Sequence, residues 1–253
     1  MTKFSEWCDE DETLISPHTL TVLSAVPEGM NYAKKVVAAA LPSYYAPPKR
    51  IAELLARLGK PAAAKYVAEK LPTNPSIRSG DLGEVLCNAY LLEATPYKRG
   101  IRRLRWKDHR NMSMRGEDVL GFRVDSDSIL HVLKAEVKSG ATMSSTTIGK
   151  ARKALCAYNG LPSPHALAFV ADRLKEPGGD KVLANALDKV TLVSRLKKSQ
   201  VTHMLFTFSG NNPSRQLGNN LSSYTGKVKQ RYVALHVKAH QAFIKSVYVA
   251  AGK

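Results

Sequence analysis

Hydrophobic and polar positions change period several times along the chain, and each change predicts an element. Between residues 47 and 71 the apolar residues Ile51, Leu54, Leu55 and Leu58 recur every three or four positions, the helical period. Gly59 predicts a stop, and Pro61 opens a second, alanine-rich helix that ends at Pro72. Residues 72–79 read as a loop. From 81 to 93, Leu82, Val85, Leu86, Ala89 and Leu92 mark one face of another helix. Strands are expected at 101–106, 118–124 and 129–138, with a turn at 125–128. Their short links favour an antiparallel meander. A helix at 147–158 and a short buried strand at 165–170 follow. Beyond these come a helix at 181–196, a strand at 203–208, a long mobile loop at 209–229, a strand at 232–237 and a helix at 239–250. Residues 1–32 read as an acidic arm with one extended apolar piece, Leu20, Val22, Leu23 and Val26.

This alternation is an α/β pattern. Three regions are expected: 1–75, an acidic arm and helical N-terminal region; 76–175, an α/β core; 176–253, a basic mixed α/β extension packed on that core. The 253 residues are 44% hydrophobic, enough for a sizeable core. No apolar run reaches membrane-spanning length, so no membrane partner is expected. The opening MTKFSEWCDEDE is acidic where a secretory signal is basic and then apolar. Cys8, Cys87 and Cys156 are too few and too far apart for a disulfide framework or a zinc site. A reducing, cytoplasmic location is expected.

Charge changes the picture more. The net charge is +17, but residues 1–32 carry −5 and the remainder +22. The last acid is Asp188; the 65 residues after it hold 11 Lys or Arg. A second basic cluster, Lys98 to Arg115, holds eight bases and one acid. Such an excess points to a polyanion, and nucleic acid is the leading partner class. Candidate phosphate contacts are Arg103, Arg105, Lys107, Arg110 and Arg115 in the cluster, with Lys150, Arg152 and Lys153 on the helix at 147–158. Trp106 reads more as a core residue than as a base-stacking platform. No Gly-rich phosphate loop of the GxxxxGKS type occurs, so no ATP binding by this chain is expected.

Against this basic background a few acids stand out. LKAEVKSG places Glu136 and Lys138 on one face near the end of a strand, with Val137 on the other. Asp118, in RGEDVLGF, begins the preceding strand. In an antiparallel hairpin that start lies beside the next strand's end, so Asp118 and Glu136 converge. Glu84, in SGDLGEVL, can join them from the helix at 81–93. Three carboxylates with a lysine suit metal-assisted phosphodiester hydrolysis. The carboxylates would hold Mg²⁺ (or Mn²⁺), and Lys138 would serve the attacking water.

The order of an acid at a strand start, E-x-K at the end of the next strand, and a preceding helix glutamate resembles the PD-(D/E)XK nuclease core. The run GDLGEVLCNAYLLE, then RLRWKDHRNMSMRGEDVLGF, then LKAEVKSG is similar, more narrowly, to the HamA nuclease subunits of Hachiman anti-phage defence. That similarity covers about residues 76–175 well and the rest loosely. It implies a mixed sheet flanked by helices, Mg²⁺-dependent cleavage of DNA, and a helicase partner subunit, HamB. By resemblance Glu84, Asp118 and Glu136 are metal ligands, and all three with Lys138 form the catalytic set. The proline that precedes the acid in the family motif is replaced by Glu117, which stands as a rival ligand to Asp118.

Overall fold

The computed structural model describes residues 3–252. Its centre is one seven-stranded mixed sheet. In chain order the strands are β1 (Cys8–Ile15), β2 (His18–Ala25), β3 (Lys98–Arg99), β4 (Val119–Val124), β5 (Leu130–Gly140), β6 (Val201–Ser209) and β7 (Lys229–His236). Across the sheet they lie in the order β1-β2-β7-β6-β5-β4-β3. The inner pairs β2–β7, β7–β6 and β6–β5 are parallel; β1–β2, β5–β4 and β4–β3 are antiparallel. Strands from all three sequence regions therefore share one sheet.

Helices cover both faces. They are α1 (Met30–Ala40), α2 (Pro42–Tyr45), α3 (Pro48–Lys70), α4 (Pro75–Ala94), α5 (Ser145–Cys156), α6 (Pro164–Lys175), α7 (Lys181–Lys189), α8 (Ser214–Ser222) and α9 (His240–Ala251). On one face, α1, α4 and α9 bury Val37, Leu86 and Val247 against Leu133, Ala135, Val137 and Phe206. On the other, α5 and α8 pack Ile148 and Leu217 against Leu205 and Tyr232. At the β4 edge, α6 and α7 close over Phe122 and Val132. No helix among the described residues is long and apolar enough to cross a membrane.

Several expectations change. The acidic arm is mostly a hairpin: β1 and β2 pair over their whole length, and β2 joins the central sheet. Its apolar residues Leu20, Val22 and Leu23 are buried, whereas β1 exposes acids along an outer edge. Charged side chains on such an edge oppose pairing with another chain. The strand expected at 101–106 is a 3-10 turn, Arg103–Trp106, and the third strand of the meander is Lys98–Arg99 instead. The strand expected at 165–170 is helix α6. Ser163 caps it, accepting from the Ala166 N–H, and Pro164 opens it. The loop expected at 209–229 contains α8, held by buried Leu217 and Leu221. Helix α4 begins six residues early because Asn74 caps it through the Ser76 and Ile77 N–H groups. The expected stop at Gly59 is present: φ there is +78°, so α3 is two helical stretches joined at a kink.

Candidate functional site

The site lies where α4 crosses the paired strands β4 and β5. Gly83 permits the close crossing: a Cβ there would stand 3.0 Å from Val137 Cγ1 and 3.3 Å from Ser139 Cβ. Ser79 and Ser139 hydroxyls lie 2.8 Å apart, and Ser139 Oγ is 3.1 Å from His240 Nε2, so α4, β5 and α9 are tied at one point.

The β4–β5 register pairs Val119 with Ala135. Carried one step further, it sets Asp118 opposite Glu136. Asp118 Oδ2 accepts the Val137 N–H at 2.8 Å, which fixes the carboxylate at the strand end. Glu136 Oε1 accepts from Lys138 Nζ at 2.6 Å. Val137 packs into the α4-side core, so its neighbours Glu136 and Lys138 project toward the other face. The predicted convergence of Asp118, Glu136 and Lys138 is thus present in the geometry.

Glu84 joins by a different route. Its two oxygens accept from Arg103 Nε and Nη2 at 2.9 and 2.8 Å. The same Nη2 reaches Asp118 Oδ1 at 3.1 Å. Arg103, expected on a phosphate-binding surface, is therefore an internal bridge, with a side chain only 12% exposed. Asp118 is the common member of two halves: Glu84 with Arg103, and Glu136 with Lys138. No group of three metal-ligating side chains is assembled among the described residues.

The electrostatics follow this layout. Burial pushes the Glu84 carboxyl up to about 7, against the opposing pull of Arg103. Burial also raises Asp118, opposed by Arg103 and the Val137 N–H. Glu136 is raised by burial and then by the negative charge of Asp118, with Lys138 opposing. Asp118 and Glu136 are thus held up chiefly by burial, which Arg103 and Lys138 offset only in part. As an all-oxygen pair in that state they fit a hard divalent cation. Glu84 does not offer a free oxygen while Arg103 holds both.

Other predicted positions separate in the same way. Glu117, the rival ligand, turns to the start of α6: its Oε1 accepts the Ser163 N–H at 2.6 Å and its Oε2 the Ser163 hydroxyl at 3.1 Å. Arg105 donates twice to the Ser43 carbonyl. Lys107 is buried against Asp81, at 2.7 and 3.0 Å. Arg152 donates to Asn220 and Ser223 and lies over the Tyr224 ring. These four bases, with Arg103 among them, are committed inside the fold. Arg115, Lys150 and Lys153 are exposed and Arg110 is half-buried.

Sequence reasoning missed Asp81. It is buried, accepts from Lys107 and from the Tyr45 hydroxyl, and that hydroxyl contacts Tyr248 OH at 2.8 Å. Burial raises its carboxyl while Lys107 opposes. Its i, i+3 spacing from Glu84 on one helix was the available signal. Beside Asp118 a cavity of about 450 Å³ opens between the 3-10 turn and α6. Trp106 lines it, half-buried, edge-on to Phe169.

A Hachiman protein HamA of Bacillus cereus is 27% identical over 177 residues, 70% of this chain. The chain spans 62% of that relative's length. The HamA family profile matches residues 2–251, well beyond the 76–175 stretch on which the sequence resemblance rested. From its first strand to its last helix, the chain belongs to the HamA family.

Proposed function

We propose that this chain is a metal-dependent nuclease that hydrolyses DNA phosphodiesters as the effector of an anti-phage defence complex, with a PD-(D/E)XK core and a helicase subunit restraining it. The observation that carries the reading is the meeting of Asp118, Glu136 and Lys138 at the ends of β4 and β5. Membership of the HamA family and the relative's name, Hachiman protein HamA, support the defence role.

Asp118 and Glu136 would hold Mg²⁺ or Mn²⁺, which supplies a Lewis acid for the phosphoryl oxygen and an acidified water. Lys138, partly exposed, would orient an attacking water and offset charge gathering on phosphorus. The strand ends fix both carboxylates before substrate arrives, so little reorganisation is needed. Arg103 gives the site a resting arrangement, because it neutralises Glu84 and one oxygen of Asp118. Engaging Glu84 as a third ligand requires Arg103 to leave it. The exposed bases Arg115, Lys150 and Lys153, with Arg110, are available for the phosphate backbone.

The test compares the wild type with Glu136→Gln and Lys138→Ala on linear and circular DNA, in Mg²⁺, Mn²⁺ and EDTA. Each substitution should lower cleavage by about 10²-fold or more, and EDTA should abolish it. Cleavage that survives both substitutions sinks the assignment. Salt-sensitive binding without cleavage in either metal would mark a non-catalytic nucleic-acid scaffold instead.

A further inference from the structure

We infer that the cavity beside Asp118 is a nucleobase pocket, which takes one unstacked base of a single-stranded stretch while its sugar-phosphate lies at the carboxylates. The inference rests on the nuclease reading and names the substrate form for it.

The cavity volume, about 450 Å³, is in the range that holds a small molecule. Its wall combines apolar surface from Trp106, Phe169 and Met112 with a few polar groups, the composition expected of a ligand site. Trp106 offers a ring for stacking and carries the Arg173 guanidinium 5.6 Å from its centroid. Every base has a π-face, so such a platform binds without strong sequence preference.

Asn88 supplies an independent pointer. It lines the cavity from α4 and is only 7% exposed. Its Nδ2 donates to the Glu84 carbonyl, yet its Oδ1 has no hydrogen-bond partner among the described residues. A buried acceptor left unpaired is costly, and a ligand N–H would satisfy it once the amide turns toward the cavity. Nucleobases present such groups on their pairing edges. In a duplex those edges are occupied; in a single strand they are free. Exposed Arg115 stands at the same cavity, placed for the adjoining phosphate. Asp118 borders the cavity too, so a base seated there brings its backbone to the site.

The full chain is titrated in EDTA with three probes of equal length: a mixed-sequence single-stranded oligonucleotide, the same strand built from abasic sites, and a blunt duplex. Trp106 is the optical reporter, since the second tryptophan, Trp7, is fully buried. The single strand should quench Trp106 and bind about tenfold tighter than the abasic strand of the same charge. Asn88→Leu, close in volume, should weaken single-strand binding about fivefold and leave abasic binding unchanged. Trp106→Phe should remove the quench while keeping most of the affinity, which checks the reporter without emptying the pocket.

Equal affinity for the normal and abasic strands overturns the proposal. So does tighter duplex binding with no quench. Cleavage assays in Mg²⁺ run beside it. A quench with no cleavage would keep the pocket and remove the nuclease reading; cleavage with no base dependence would do the reverse.

Discussion

Replacing Arg103 by methionine keeps a long apolar stem and removes the charge that joins Glu84 to Asp118. The guanidinium makes two bonds to Glu84, at 2.8 and 2.9 Å, and one to Asp118 at 3.1 Å. At an effective dielectric of about 20, a unit pair at such separations attracts by about 5–6 kcal/mol before desolvation is subtracted. Desolvation takes back most of that gain, but removing one partner leaves the other buried and unpaired. The expected loss is about 3–5 kcal/mol. For a chain of this size each kcal/mol moves the melting temperature by about 2–4 °C, so Arg103→Met should melt roughly 6–20 °C lower at pH 8. At pH 6 the loss should shrink, because Glu84, already raised to about 7 by burial, then takes up a proton in place of the guanidinium.

A double variant decides whether charge pairing is the cause. Glu84→Gln together with Arg103→Met removes both members, and most of the stability lost by Arg103→Met should return. Magnesium adds a second axis. If Asp118 and Glu136 receive a cation, millimolar Mg²⁺ should raise the melting temperature of Arg103→Met more than that of the wild type. Thermal denaturation followed by circular dichroism reads the three proteins at both pH values. A single variant within about 1 kcal/mol of wild type, or a double variant no better than the single, refutes the bridge as the site's internal counter-ion.

Two further predictions follow from buried groups. Glu117→Ala removes both acceptors for Ser163 at the start of α6 and should cost about 1–3 kcal/mol in urea denaturation, while cleavage stays within about threefold of wild type; a loss of cleavage like that of Asp118→Asn would make Glu117 the ligand. His203 is buried between the Gly160 carbonyl and the Gln230 amide, and burial depresses it to about 4. The unfolded chain therefore protonates first as pH falls below about 6.5, and up to about 3 kcal/mol should be lost by pH 4. His203→Gln should flatten that decline in urea midpoints, and an unchanged slope would rule His203 out as its source.

Legibility in the sequence divided by whether a signal was local. Strands β5, β6 and β7 were readable because their apolar runs end at turn residues and their pairing is the sheet's centre. Helix α6 was misread because ALAFV, after His165, is a continuous apolar run, and a short run of that kind fits either period. Its true marker, Ser163 followed by Pro164, lies just outside the run. Strand β1 was hidden for the opposite reason: DEDE at its centre faces solvent, and edge position overrides composition. The Asp118, Glu136 and Lys138 grouping was readable because one hairpin register fixes it. The Arg103 bridge was not. It joins three positions separated by 19 and 15 residues on three different elements, and nothing in their spacing sets the distance between them.

The same bridge alters what the basic composition means. Acids are scarce in this chain, and the buried ones near α4 each take a base from the cluster once assigned to phosphate: Lys107 goes to Asp81 and Arg103 to Glu84. Those bases neutralise carboxylates rather than extend the phosphate grip. Glu136 takes Lys138, and Glu117 is satisfied by a helix start. What remains is Asp118, sharing Arg103 with Glu84, and Glu136, lifted by burial and then by the charge of Asp118. Burial raises both carboxyls in spite of these bases, as it does those of Asp81 and Glu84. A divalent cation held by the pair would offset the desolvation that these bases leave uncompensated, and it would do so beside the nucleobase cavity that Asp118 borders.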